Sequence, residues 1–253
     1  MAYDNHRFCW HGVVSTEPAK ARAFYTEVLG WTTQSIPMGD EEATMFAAAD
    51  GVPRAHLSAP QMEDVGSHWE NYLRVGDVDA ATAAAQQHGG QLLVPAMDIP
   101  PGRFSVVASP SGAALCLFHE ADEAASQNAP AGEGAIHWVE LHSKDLDADM
   151  KWLGAALGLS HDTMPMPNGG TYYILKDGET QVGGAMTGMH EGAPSMWLTW
   201  VEVGDVDAVA ERATGHGGQL LAPLMDMEGI GRMAILMDNT GGVFGAITPA
   251  ARG

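Results

Sequence analysis

Four segments of the chain share one order of hydrophobic and polar positions. Each begins with a tryptophan that opens a short alternating or apolar stretch, a pattern typical of a strand. A turn rich in Asp, Pro or Gly follows, then a helical run that ends at a glycine, and then stretches compatible with three further strands. The four tryptophans are Trp10, Trp69, Trp138 and Trp197, and each stands 20 residues before its glycine, Gly30, Gly89, Gly158 or Gly217. The pattern therefore predicts four βαβββ modules and an α+β fold.

The modules are arranged as a duplication. VGDVDA occurs at 75–80 and again at 203–208, an offset of 128 residues, and HGGQLL recurs at the same offset. Between the copies, the stretch EADEAASQNAPAGEG is small, polar and without periodicity, which is typical of a linker. We therefore predict one domain over 1–120, a linker over 121–134 and a second domain over 135–250.

Composition narrows the function classes. The chain has 253 residues, with 12 Lys and Arg against 32 Asp and Glu, and a formal net charge of -20. Because so acidic a surface repels phosphate backbones and anionic lipids, we expect neither nucleic acid nor a membrane as a partner. The sequence shows no signal peptide and no long apolar run, and Cys9 and Cys116 fit no disulfide framework. These features predict a reduced, cytoplasmic protein.

Several segments carry a family resemblance. AFYTEVLGW at 23–31, the GR…SPSGAAL and GR…DNTGGVF hairpins, and WVELHSKDLDADMKWL at 138–153 resemble the vicinal oxygen chelate superfamily of glyoxalases, bleomycin-resistance proteins and extradiol dioxygenases. The last segment is similar to the two-domain glyoxalase-like branch. The resemblance implies that the four modules form two glyoxalase-like domains. It also implies that paired modules curl their sheets into a cup, which holds a small ligand and often a divalent metal ion.

The metal positions that the resemblance implies are largely lost. In metal-dependent members a histidine opens the first strand, but Trp10 and Trp138 stand at the corresponding positions and cannot bind a metal. The position on the second module falls on either Trp69 or Glu70, since a slip of one residue reverses which face of a strand a side chain occupies. The second domain is thus expected to lack the family's metal ligands.

The first domain retains a candidate metal site in His56, Glu70 and Cys116. Imidazole, carboxylate and thiolate ligands together could hold zinc or another transition ion. The alternative is that Cys116, in AALCLF, is a small buried hydrophobe and that the protein has no metal. The cofactor prediction is therefore either none or one divalent metal ion.

The first strand of the second domain offers a candidate for proton transfer. Trp138, Glu140 and His142 alternate along the strand and so share one face. A carboxylate and an imidazole beside an indole could perform general acid–base chemistry on a carbonyl compound. The alternative is a structural pair that closes a hydrogen-bond network. The first domain has Gly12 and Val14 at the two equivalent positions, so the pair belongs to one copy.

Aromatic side chains at strand positions are candidates for a ligand-binding wall. Small-molecule sites combine such walls with a few polar groups, although core packing uses the same residues. The predicted ligand-binding residues are Trp10, Trp69, Trp138, Tyr172 and Trp200.

Two functions are compatible with these features. One is a glyoxalase-like lyase, isomerase or hydrolase that acts on a small carbonyl or aromatic molecule, with Glu140 and His142 exchanging protons. The other is a non-catalytic protein that sequesters a small antibiotic or toxin. The only predicted partner is a small-molecule ligand, and the chain is expected to be a monomer with paired domains or a homodimer.

Overall fold

The computed structural model describes residues 6–38, 41–61, 64–121, 131–166, 169–190 and 192–251. The first half of the predicted repeat comprises β1 Phe8–Val14, α1 Pro18–Leu29, β2 Thr32–Met38, β3 Glu41–Ala47, β4 Pro53–Ser58, β5 His68–Arg74, α2 Val78–Gln87, β6 Gln91–Ile99, β7 Gly102–Ala108 and β8 Ala114–Glu120. The second half comprises β9 Ile136–Ser143, α3 Leu146–Leu157, β10 Ser160–Pro165, β11 Thr171–Asp177, β12 Thr180–Thr187, β13 Met196–Glu202, α4 Val206–Gly215, β14 Gln219–Leu220, β15 Met225–Met227, β16 Gly231–Met237 and β17 Val243–Pro249.

The strands form two mixed sheets, one for each half of the repeat. The first has the order β2-β3-β4-β1-β5-β8-β7-β6, and the second has the order β10-β11-β12-β9-β13-β17-β16-β14, with β15 paired to β16. The first and fourth strands of a module are parallel neighbours, as in β1 with β4 and β9 with β12. The α+β fold of four βαβββ modules is confirmed. Of the predicted linker, residues 122–130 lie outside the described residues.

The fourth module departs slightly from the predicted pattern. Its first strand after α4 is divided into β14 and β15, and Pro223 lies between them. The equivalent strand β6 is continuous but shifts register between Leu92 and Val94 and again between Val94 and Met97, across Pro95. Proline has no N–H to donate to a strand partner, which explains why both copies are irregular at this point.

The described residues form two compact units. One combines Met1–Trp10, Glu70–Gln127 and Val139–Trp197, and the other combines His11–Trp69, Asn128–Trp138 and Leu198–Gly253. We call them the first and the second unit. Their bounds differ from those of the two sheets, and the domain bounds predicted from the repeat stay a prediction.

A buried carboxylate organises the first unit. Asp149 of α3 is fully buried, and its Oδ2 accepts hydrogen bonds from the hydroxyls of Ser111 and Ser143, the latter at 2.6 Å. The backbone N–H of Ser111 donates to Oδ1 at 3.1 Å. Ser111 Oγ and Ser195 Oγ are 2.6 Å apart, and because the one proton of Ser111 goes to the carboxylate, the Ser195 hydroxyl is the donor of this bond. The network ties α3 to the end of β9 and to the loop before β8.

A second carboxylate has a comparable role in the second unit. Asp238 Oδ2 accepts from the Tyr25 hydroxyl at 2.7 Å, and Oδ1 accepts from the Thr240 hydroxyl at 2.8 Å. The Tyr25 hydroxyl in turn accepts from the indole N–H of Trp69 at 2.8 Å. Burial, and next the adjacent Asp238, raise the pKa of Tyr25 well above its usual value. The phenol therefore stays protonated as a donor at the centre of the core.

Capping residues mark the ends of the helices. Asp77, Asp145 and Asp205 each accept a hydrogen bond from a backbone N–H of the first turn of α2, α3 and α4. Helices α1 and α3 end at Gly30 and Gly158, whose φ angles of 69° and 68° suit glycine. No described helix has both the length and the apolar character needed to cross a membrane.

We predict that Asp149→Ala lowers the free energy of unfolding by about 3 kcal/mol, because Ser111 and Ser143 lose the acceptor for their buried donors. Urea denaturation monitored by circular dichroism measures the change. Asp147→Ala, an exposed acidic residue in the same helix, is the matched control and should alter stability by less than about 0.5 kcal/mol. Equal effects of the two variants would contradict the role assigned to Asp149.

Candidate functional site

A buried polar pair of the first unit lies on β9. His142 Nε2 and Glu140 Oε1 are 2.6 Å apart, and the two side chains are 3% and 8% exposed. The other ring nitrogen, His142 Nδ1, is buried and has no hydrogen-bond partner. Since Val139 and Leu141 are the buried apolar residues of the alternate positions, Glu140 and His142 share the opposite face of the strand. The bonded nitrogen is thus held by the carboxylate while the second is left for another group.

Strand β12 leaves room beside Glu140. In the parallel pairing of β9 with β12, Gly184 stands opposite Glu140 and Met186 opposite His142. A glycine partner has no side chain to compete with the carboxylate for space. The pair therefore lies beside a backbone segment on one side and a flexible thioether on the other.

Tyr172 of β11 faces the same way as the pair. Ile174 stands opposite Gly184 across the antiparallel pairing of β11 with β12, so Ile174 shares the face of Gly184 and Glu140. Tyr172 lies two residues from Ile174 and hence on that face, while Tyr173 lies on the other and contacts His161. The structure thus brings Glu140, His142 and Tyr172 to one face of neighbouring strands.

A second cluster of the first unit contains Glu70, Tyr72 and Cys116. The Tyr72 hydroxyl donates to Glu70 Oε2 at 2.9 Å, and Tyr72 stands opposite Cys116 in the pairing of β5 with β8. Burial, and next the neighbouring acidic groups, raise the pKa of Tyr72 and that of Cys116 well above their usual values. Both groups are therefore protonated donors at neutral pH.

Core packing settles the register that the sequence left open. Trp69 is buried, donates to Tyr25 and packs against Phe244 with ring centroids 6.2 Å apart. Its neighbour Glu70 therefore points to the opposite face of β5. The structure gives Trp69 a packing role, although the sequence made it a candidate for ligand binding.

His56 and Gly12 form a complementary pair in the second unit. They stand opposite each other in the pairing of β1 with β4, and a Cβ on Gly12 would lie 2.3 Å from His56 Cε1. The imidazole therefore occupies the space above Gly12. In the other sheet the sizes are exchanged, since Glu140 and Gly184 occupy the equivalent positions. This exchange was not predicted from the sequence, although the residues that stand 128 positions apart in the two copies carry its signal.

Trp200 and Gly245 are a similar pair. They stand opposite each other in the pairing of β13 with β17, and a Cβ on Gly245 would lie 2.2 Å from Trp200 Cε3. The indole therefore rests on the backbone of Gly245. Its Nε1 is buried and has no hydrogen-bond partner.

The donor set does not fit the metal site that the family resemblance implies. Trp10 and Trp138 are half-buried indoles that offer no metal ligand, and the raised pKa of Cys116 disfavours a thiolate. His56 belongs to the second unit, whereas Glu70 and Cys116 belong to the first. Among the residues that the structure describes, no three His, Cys, Asp or Glu side chains are grouped to hold a metal ion. The set of His56, Glu70 and Cys116 stays a prediction.

Comparison with known proteins identifies the class to which this fold and these faces belong. The profile of the Glyoxalase-like domain family matches residues 12–118. The Mycobacterium tuberculosis protein named "Putative glyoxylase CFP32" is 33% identical over 248 residues, which cover 95% of this chain and 94% of that protein. The chain therefore belongs to the glyoxalase-like family of the vicinal oxygen chelate superfamily, as its motifs predicted.

Solved structures agree with this fold. The Mn(II)-bound glyoxalase from Novosphingobium aromaticivorans is similar with a TM-score of 0.61 at 18% identity, covering 97% of this chain and 82% of that one. An extradiol ring-cleaving dioxygenase from B. fuscum is similar with a TM-score of 0.63 at 16% identity, covering 99% of this chain and 73% of that one.

A partial sequence relative has a different name. A Streptomyces sp. protein named "Anthracycline biosynthesis protein DauV" is 28% identical over 125 residues, covering 44% of this chain and 46% of that protein.

We predict that Cys9 makes stability sensitive to alkaline pH. Its Sγ donates to the Tyr72 carbonyl at 3.5 Å, and burial, and next the Glu120 carboxylate, raise the pKa of Cys9 from 9.0 to about 12. Because the folded state holds this proton more tightly, its contribution to stability is complete below pH 9 and is lost as the pH rises towards 12. Cys9→Ser, which retains a donor, should lose stability less steeply between about pH 9 and 10.5 in urea denaturation. An unchanged slope would show that Cys9 ionises alike in both states.

Proposed function

We propose that the chain is an enzyme that transfers a proton on a small carbonyl compound, with His142 as its catalytic residue. The observation that carries the proposal is the buried bond between Glu140 and His142, which leaves His142 Nδ1 as the nitrogen without a partner. Buried polar atoms are nearly always satisfied, and exceptions are frequent where a ligand supplies the missing partner.

The bond divides the work between the two residues. A carboxylate can only accept, so His142 donates from Nε2–H to Glu140 and presents the lone pair of Nδ1 as a base. The carboxylate fixes the tautomer and stabilises the imidazolium that forms when Nδ1 takes a proton. Glu140 therefore acts as a positioning residue, and the sequence-based proposal that both residues exchange protons is refined to Nδ1 alone.

The surrounding side chains favour a small, largely apolar substrate. On this face Tyr172 offers a phenol, while Ile174 and Met186 are apolar. The reaction that fits is the isomerisation of an α-hydroxy carbonyl compound, in which Nδ1 removes the proton from the hydroxyl-bearing carbon and returns it to the former carbonyl carbon, while the hydroxyl proton moves to the former carbonyl oxygen. Bonds and charges balance without an oxidant or reductant. The glyoxylase name of the Mycobacterium relative supports this class of substrate.

We predict that His142→Gln lowers kcat at least about 100-fold on an accepted substrate, because the base is lost. Glu140→Gln should lower kcat about 10-fold or more with little change in KM, since the imidazolium that forms loses the carboxylate that stabilises it. A panel of α-hydroxy ketones and adducts of α-ketoaldehydes with thiols supplies the substrates. Proton exchange into deuterated water, followed by NMR, detects the step directly.

His161→Gln is the matched control, because His161 lies on β10 in the same unit, exposed and remote from the pair in the strand order. Its rate should equal that of the wild-type protein. A turnover that survives in His142→Gln would refute the proposed base. An unchanged kcat in Glu140→Gln would assign the carboxylate a structural role only.

Sequestration of a small aromatic molecule is the second candidate, supported by the anthracycline name of the DauV relative and by the aromatic residues. It requires tight binding of a ligand that is released unchanged, whereas the enzyme must release a product. Mass spectrometry of a bound ligand before and after incubation separates the two. A monomer or homodimer in the cytoplasm, without nucleic acid or membrane partners, completes the proposal.

We predict that the proposed turnover is independent of metal. Protein purified without a chelator or histidine tag should contain well under one metal ion per chain, and dialysis against EDTA should leave the rate unchanged. The reason is that His142 Nδ1 acts as the base without the help of a Lewis acid. A stoichiometric metal that is lost in Cys116→Ala would instead establish the set of His56, Glu70 and Cys116.

A further inference from the structure

The second unit carries a face whose chemistry the proposed proton transfer does not use. Val201 of β13, Phe244 of β17 and Leu236 of β16 belong to the core cluster that includes residues of α1 and α4. The alternate positions on the same three strands, Trp200 and Gly245 among them, therefore point the other way. These positions form the face of the sheet that is opposite the core cluster.

The face is apolar around Trp200, and Glu202, two residues further along β13, stands opposite Ile247 on it with its Oε2 3.3 Å from His137 Nδ1. Ile235 stands opposite Gly245, and Met233 stands opposite Ile247, so aliphatic and thioether side chains adjoin the indole of Trp200. The indole N–H of Trp200 is buried and has no acceptor. An unsatisfied donor in such surroundings is costly, so the site is suited to a molecule that brings an acceptor.

Comparison of the two copies shows why the indole N–H of Trp200 lacks an acceptor. In the first copy the equivalent of Trp200 is Tyr72, whose hydroxyl donates to Glu70. The equivalent of Glu70 in the second copy is Leu198, which has no acceptor. The second copy therefore keeps a donor at this position and has no internal acceptor for it.

The small size of Gly245 makes space for the indole of Trp200. Gly245 replaces Cys116 of the first copy, and a Cβ there would lie 2.4 Å from Trp200 Cδ2 and 2.7 Å from Cζ3. The larger ring and the smaller partner thus occur together in one copy. Met233 and Met237 on the adjacent strand are flexible side chains that can adapt to a bound ring.

We infer that Trp200 forms a binding subsite for a flat, neutral molecule that bears a carbonyl oxygen, with the indole N–H donating to that oxygen. A neutral ligand is indicated because an anion would meet the carboxylate of Glu202 on this face, and that carboxylate is already paired with His137. The inference does not depend on the proposed activity of His142, since its evidence lies in the second unit.

The test compares two probes of one shape, 9-fluorenone and fluorene, of which only the first has an acceptor. Wild-type protein should bind 9-fluorenone about five- to tenfold more tightly than fluorene, as expected for one hydrogen bond. Trp200→Phe keeps an aromatic ring and removes the N–H, so it should bind both probes with equal affinity. Isothermal titration gives the affinities, and thermal unfolding shows that each variant is folded.

Trp197→Phe is the matched control. Trp197 also has a buried indole N–H without a partner, but it is in the first unit and packs against Phe8 with ring centroids 5.4 Å apart. This variant should retain the preference for 9-fluorenone. Gly245→Ala should weaken both probes severalfold, because the added Cβ displaces the indole.

The inference is overturned if 9-fluorenone fails to bind, if wild-type protein does not distinguish the probes, or if Trp200→Phe keeps the preference. None of these results bears on the rate of the His142 variants. Conversely, if no turnover is detected, the expected difference in affinity between the two probes is unchanged.

Discussion

A buried acceptor at the end of the first strand of a module is the interaction on which much of the structure depends. In the first unit Asp149 holds the hydroxyl of Ser143, where β9 ends and the turn to α3 begins. In the second unit the equivalent Ser15, at the end of β1, donates to Thr240, which donates to Asp238. The carboxylate comes from a helix in the first unit and from a loop after a strand in the second. The same place is thus fixed by different residues in the two units.

Fixing the end of the strand also fixes the direction of its side chains. Successive residues of a strand face opposite ways, so a slip of one residue would exchange Glu140 and His142 with Val139 and Leu141. The exchange would place an ion-pairing carboxylate in an apolar core and is therefore strongly disfavoured. The hydroxyl and carboxylate at the strand end thus help to position the candidate site on the same strand.

The sequence predicted the fold because the repeat and its alternation are local signals. It also predicted that Glu140 and His142 share a face, since the two residues are neighbours on one strand. The face of Glu70 was ambiguous, because it depends on Trp69 bonding to Tyr25, 44 residues away. No periodic pattern encodes such a contact. The Asp149 network was missed for the same reason, since Ser111 is 38 residues from it in the chain.

The two copies follow one rule of volume and differ in polarity. Where the first and fourth strands pair, a large side chain stands opposite a glycine in both copies, and the large one changes strand: His56 over Gly12, but Glu140 beside Gly184. Such exchanges preserve packing, which tolerates little change in total volume. Polarity is not under the same constraint. The Tyr72 hydroxyl meets an internal acceptor, whereas His142 Nδ1 and Trp200 Nε1 do not. These two unmet atoms both lie in the second half of the chain, whereas the first copy satisfies the donor equivalent to Trp200 Nε1 internally.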